Sequence, residues 1–196
     1  TRDRVEQYGR RSVDETTGYG LVRERLRVQM LPPETDFRGM YPDAVGADLP
    51  STDARRYGRA LALVSAGAPV EAVPILEDLR ARHQDVTLYH SALGQAQLAA
   101  GDVAGSRRTL AEALELFPRN VPVTLRFAET LMRTGEKKLA HQVLLDLFNN
   151  VAPTPEQTRF IALVASAAGD TADAHHYMGE YHVMNGDLQM AIDQLR

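Results

Sequence analysis

Apolar positions in this chain recur at spacings of three and four residues, the pattern that lays hydrophobic side chains along one face of a helix. In "GYGLVRERLRVQM" that spacing predicts a helix over 18–30, with Tyr19, Val22, Leu26 and Met30 on its apolar face and Leu21 and Val28 flanking it. The period is lost in "LPPETDFRGMYPDAVGADLPSTD", which is rich in Pro, Gly and Asp. A connection that long is expected to be either mobile or laid across the following helices through Phe37, Met40 and Tyr41. Beyond residue 52 the pattern returns and keeps phase. Ala60, Ala128 and Ala162 share one phase, Leu63 and Leu131 a second, and Ala72, Ala140 and Ala174 a third. Gly67, Gly101, Gly135 and Gly169 follow one another at a single unvarying step. Small side chains let two antiparallel helices approach, and larger ones fill the space around them. A glycine just past a helix satisfies its last carbonyls in a left-handed conformation without a Cβ penalty.

That step is the period of roughly 34 residues that marks the tetratricopeptide repeat, one helix–turn–helix per period. A unit begun at Thr87 places Leu93, Gly94, Leu110, Ala113 and Pro118 at the landmark positions of that motif. The expected fold is therefore all-α, a tetratricopeptide-repeat superhelical solenoid of four to five repeats with an N-terminal helical extension. The expected organisation is a helical junction at 1–30 that caps the first repeat, a Pro/Gly-rich linker at 31–52, and a solenoid at 53–196. The solenoid divides into units 53–86, 87–120, 121–154 and 155–188 and a partial last repeat to 196. "TRDRVEQYGRRS" reads as a short polar helix within the junction. Gly186 falls half a period after Gly169, so the segment 171–185 is expected to serve both as the second helix of one unit and as the first of the next. A further helix from Leu188 is expected, and its apolar pattern, still running at Arg196, suggests that the native chain continues.

Composition narrows the function. The 196 residues carry a net charge of −4 and no cysteine, which excludes disulfides and thiolate chemistry. No run approaches the roughly 18 apolar residues of a membrane span, and no charged–apolar–small-residue leader precedes the first helix. Residues 1–52 and the remainder are each slightly acidic, and the arginines of "RERLR" scatter around a helix, so nucleic acid is not an expected partner.

Only "AHHYMGEYH" invites an enzymatic reading. His175 and His182 are separated by about 10.5 Å along a helix, too far to share one zinc at about 2 Å per ligand. His176 and Glu180 share a face but have no third ligand in the motif, and neither H-E-x-x-H nor H-x-x-E-H occurs in the chain. No catalytic residue, cofactor or metal is expected in this chain. In tetratricopeptide repeats, positions 2, 5, 9, 12 and 13 of the first helix line a concave groove that binds peptides. Here those positions nominate Tyr57, Ser91, Gln95, Leu98, Glu129, Met132, Arg133, Arg159, His176 and Glu180 as the partner-binding set, with Leu88, Leu125, Leu163 and Met184 among them. The basic-and-asparagine clamp that grips C-terminal carboxylates does not carry over, because no asparagine stands at position 9.

"GYGLVRERLRV" with its Pro-rich linker, "YGRALALVSAG" and "HHYMGEYHVMNGDLQMAIDQLR" resemble the C-terminal repeat tail of periplasmic zinc metallopeptidases of the β-barrel assembly-enhancing type (BepA-like). The resemblance implies a non-catalytic interaction module in the periplasm, docking on outer-membrane β-barrel assembly machinery or on unfolded outer-membrane proteins. It places the zinc in a preceding H-E-x-x-H peptidase domain that is no part of this sequence. The alternative is a stand-alone repeat scaffold or accessory protein with no protease attached.

Overall fold

Helix-forming runs alternate with short, capped turns through most of the chain. The computed structural model describes residues 18–32, 34–37, 39–41 and 50–194, and the expected short helix near the N-terminus lies outside them. Among the described residues the protein is all-α, without a strand. The helices are α1 (18–29), α2 (Pro50–Ser65), α3 (Pro69–Arg82), α4 (Thr87–Ala99), α5 (Val103–Leu116), α6 (Val121–Arg133), α7 (Lys137–Phe148), α8 (Pro155–Ala168), α9 (Thr171–Met184) and α10 (Leu188–Gln194). None of them is long and apolar enough to cross a membrane.

The turns are set by local chemistry. Gly101 has φ +86°, and it lets the Asp102 N–H reach back to the Gln97 carbonyl at 2.9 Å, closing the end of α4. The same reach recurs from Ala68 to Leu63, Glu136 to Leu131, Asp170 to Ala165 and Asp187 to His182. Helix starts are equally explicit. Asn120 accepts from the Val123 N–H, Thr154 and Gln157 bond reciprocally across the first turn of α8, and the Asp170 carboxylate accepts from the Asp173 N–H. Prolines in the first turns of α3, α6 and α8 occupy positions whose N–H would lack an intrahelical partner.

The chain divides into two compact units, residues 1–102 and 103–196, so the division falls between α4 and α5. In the first unit α2 packs on α3 and α3 on α4, around a core that includes Leu21, Tyr57, Ala60, Leu63, Ala72, Leu76, Leu79, Tyr89 and Leu93. In the second, each helix from α5 to α10 packs on the next. Its core joins Ala128, Leu131, Ala140, Leu144, Ile161 and Val164, with Leu110, Ala113 and Val123 as a smaller cluster. Ala60, Ala72, Ala128 and Ala140 are fully buried, at the helix contacts where the repeat asks for small side chains.

The apolar face expected for α1 is not the one it buries. Tyr19, Val22, Leu26 and Met30 are 68%, 48%, 51% and 81% exposed, whereas the flanking Leu21 and Val28 are buried together with Glu24. Two features turn the helix this way. Gly20 allows close approach to α2, since a Cβ there would lie 3.2 Å from the Ala54 Cβ. The Glu24 carboxylate, costly to bury alone, accepts a 2.6 Å hydrogen bond from the Tyr41 hydroxyl and pairs with Arg23 at 3.0 Å.

Candidate functional site

The residues nominated for a groove fall in both units and differ sharply in accessibility. In the first unit Tyr57 is fully enclosed and packs edge-on against Tyr89, with ring centroids 5.7 Å apart, so it is a core residue and not a presented one. Ser91 and Leu98 are also buried, and Gln95 is half-buried. In the second unit Glu129 and Met132 are half-buried, whereas Arg133, Arg159, His176 and Glu180 are exposed. Glu129 pairs with Arg126 at 2.7 Å, and Met132 packs on the Leu131–Leu144 core.

On α2 the groove positions Ala54, Tyr57 and Leu61 are covered by the chain itself. Leu21 joins Ala54 and Tyr57 in one buried cluster, and Val28, Phe37 and Tyr41 join Ala62 in another, with Leu61 packed against both. Gly58 makes room for this cover, because a Cβ there would lie 2.7 Å from the Tyr41 hydroxyl. Burial first, and then the hydrogen bond to the Glu24 carboxylate, push the Tyr41 hydroxyl well above its ordinary pKa. Of the two fates expected for the linker, its described part takes the second and lies across the first repeat helix through Phe37 and Tyr41.

On α8 the equivalent positions are open. Glu156, Arg159, Leu163 and Ser166 recur at three- and four-residue steps and are all exposed, Leu163 by 51%. This stripe sets one apolar side chain among charged and hydroxyl groups on a rigid helix. On α9 a second exposed pair, His176 and Glu180, lies one turn apart with the Nε2–Oε1 distance 3.5 Å. Burial, followed by the carboxylates of Asp173 and Glu180, pushes the Tyr177 hydroxyl up between them.

The remaining histidines of that segment do not converge. His175 Nδ1 lies 3.0 Å from the Gln194 side chain, and His182 Nδ1 lies 3.9 Å from Asp187. A convergent group does form elsewhere. His141 of α7 meets Asp170 and Asp173 at the start of α9, with one ligand atom from each within 4.8 Å of the others. Sequence reasoning missed this group because the histidine stands a whole helix away from the aspartates along the chain and matches no ligand-spacing motif with them. In the first unit Asp53 joins Arg82 at 2.9 Å and His83 at 2.8 Å, while Asp78 joins Arg56 at 2.7 Å and Arg82 at 3.0 Å. Chiefly through its hydrogen bond to Arg56, the Asp78 carboxyl is held below its ordinary range. That network ties α2 to α3 on the surface.

Residues 97–164, from the end of α4 into α8, match the tetratricopeptide repeat family. Solved structures agree over a longer span. TTC0263, a thermophilic TPR protein of Thermus thermophilus, is 19% identical with a TM-score of 0.60, over 73% of this chain and 81% of its own. The fold is that of a tetratricopeptide-repeat protein. MamA from Desulfovibrio magneticus RS-1 matches 72% of this chain and 90% of its own at 16% identity and a TM-score of 0.56. MamA of AMB-1 matches 91% and 93%, again at 16% identity and a TM-score of 0.56. No curated protein matches the sequence. Identities this low speak to fold alone.

Proposed function

We propose that this chain is a non-catalytic protein-interaction module that binds a protein or peptide segment through the open stripe of α8 and the exposed Arg133 at the end of α6. One observation carries the reading. The groove positions Ala54, Tyr57 and Leu61 of α2 pack against the chain's own Leu21, Phe37 and Tyr41, while Glu156, Arg159, Leu163 and Ser166 of α8 are uncovered. Leu163 supplies an apolar anchor, and Arg159 and Arg133 supply charge that selects orientation and partner. The tetratricopeptide-repeat fold and the lack of a peptidase motif in the sequence support binding rather than catalysis.

The resemblance supports a more specific proposal. The module belongs to a BepA-like zinc metallopeptidase of the periplasm and engages β-barrel assembly components or unfolded outer-membrane proteins. Its support is the likeness of segments 18–30 and "GEYHVMNGD" to that family's repeat tail. An upstream reading frame with H-E-x-x-H agrees with this parent; a signal peptide directly before Thr1 replaces it with a stand-alone scaffold.

Binding is tested by capture from periplasmic extract with Arg133→Glu/Arg159→Glu, against a control pair of exposed residues, Arg108→Glu/Lys137→Glu, with helicity checked for both. Loss of partners in the first pair alone is expected. Equal retention by both, or loss confined to the control pair, rejects the α6–α8 surface.

A further inference from the structure

We propose that His141, Asp170 and Asp173 form a binding site for one divalent transition-metal ion of zinc's class, clamping α7 to the start of α9. The two aspartates alone would not argue for this, because Asp170 already serves as the cap of α9 and Asp173 lies in its acidic first turn. His141 is the decisive residue. Its side chain is 7% exposed, and its Nε2 has no hydrogen-bond partner although it points at the Asp173 carboxylate from 3.2 Å. The contact falls outside hydrogen-bond geometry, so a buried ring nitrogen is left without the bond that normally offsets its desolvation. A metal ion removes that deficit, since it takes the imidazole lone pair directly.

The geometry suits a small ion. Ligands about 2.0–2.2 Å from a tetrahedral centre lie roughly 3.4 Å from one another. The His141–Asp173 distance of 3.2 Å meets that spacing, and the full group needs only a modest contraction from the 4.8 Å within which its ligand atoms lie. Two carboxylates and a neutral imidazole offset the charge of a divalent cation. The nitrogen ligand favours zinc, cobalt or nickel over calcium and magnesium, which take oxygen ligands. The group borders a pocket of ≈ 560 Å³ lined by Lys138, His141, Gln142, Leu145, Asp170 and Thr171 among others, room for water to complete the coordination sphere. Lys138 is the competing cation at this pocket. Its exposed position on the first turn of α7 leaves its ammonium free to swing into solvent. This site departs from the metal-free expectation of the sequence and is independent of partner binding at α8.

The test is zinc chloride titrated into the full chain by calorimetry, with cobalt(II) absorbance as a second probe of the ligand set. The expected result is one ion per chain and a raised melting temperature. Asp173→Asn and Asp170→Asn, the latter keeping the helix cap, should weaken binding at least about tenfold. His141→Gln should do the same, and if it fails to fold the aspartate variants decide alone. His176→Ala, outside the three ligands, should leave the zinc affinity unchanged. Three results overturn the proposal: no saturable zinc binding by the native chain, equal binding by native and aspartate variants, or binding lost with His176→Ala. Tighter binding of calcium than of zinc overturns the assigned class of ion.

Discussion

At Gly101 the cost of a side chain can be separated into its parts. A Cβ there meets nothing within 4 Å, yet the residue sits at φ +86°, so substitution acts through backbone conformation and not through a clash. Gly101→Ala is expected to lower stability by about 1 kcal/mol and Gly101→Asn by less, since asparagine visits the left-handed region more readily. Urea midpoints for the two variants check the order. Ala140 presents the opposite case, fully buried where α7 meets its neighbours. Ala140→Leu overfills that contact and is expected to cost roughly 1–3 kcal/mol. Both requirements were legible in the sequence because each is local and recurs: one backbone angle per turn, one small side chain per helix contact. Tyr57 was misread for the complementary reason. Its repeat position points toward a groove, but the cover supplied by Leu21 comes from a separate helix, across the whole linker.

Single elements show where pattern reading fails. The apolar periodicity of α1 pointed to Tyr19, Val22, Leu26 and Met30, and the buried side turned out to contain a glutamate. No period in the helix itself reveals that Glu24 will find the Tyr41 hydroxyl 17 residues later. The His141, Asp170 and Asp173 group was hidden in the same way, since helix packing and not spacing brings it together. Removing the Glu24 partner exposes the dependence. Tyr41→Phe is expected to cost about 1–3 kcal/mol and to speed hydrogen exchange in α1 while leaving α7 and α8 unchanged. Alkaline pH attacks the same contacts. Tyr41 is pushed up by burial and Glu24, and Tyr89 is pushed up to about 12 by burial and then by the Asp53 carboxylate. Between the unfolded value near 10 and these higher folded values, the unfolded chain binds fewer protons than the folded one. Stability is therefore full below about pH 10 and falls as pH rises through that window. A Tyr41→Phe/Tyr89→Phe chain should show a shallower fall in melting temperature from pH 9 upward, and an unchanged slope would remove these two hydroxyls from the account.

For the whole molecule, the anchor and the charges of the α6–α8 surface should fail in different ways. Leu163 is an exposed leucine in the middle of the α8 stripe, so its replacement has little folding cost and removes apolar area from the complex. Interfaces draw most of their energy from such buried anchors, and losing one shortens the lifetime of the complex. Arg159 and Arg133 are exposed, and charges of this kind act mainly on encounter and orientation. With the captured partner in hand, Leu163→Ser should raise the dissociation rate and leave the salt dependence of association intact. Arg133→Glu/Arg159→Glu should instead slow association and flatten its dependence on ionic strength, because the Debye length shrinks to about 10 Å at 0.1 M salt. The chain's net charge of −4 makes this a discriminating comparison, since a partner drawn only by overall charge would respond equally to the control pair on α5 and α7. Surface plasmon resonance at two salt concentrations separates the two effects. If Leu163→Ser leaves the dissociation rate unchanged, the α8 stripe is not buried in the complex. The exposed face of α1, with Tyr19, Val22, Leu26 and Met30, then becomes the next surface to vary.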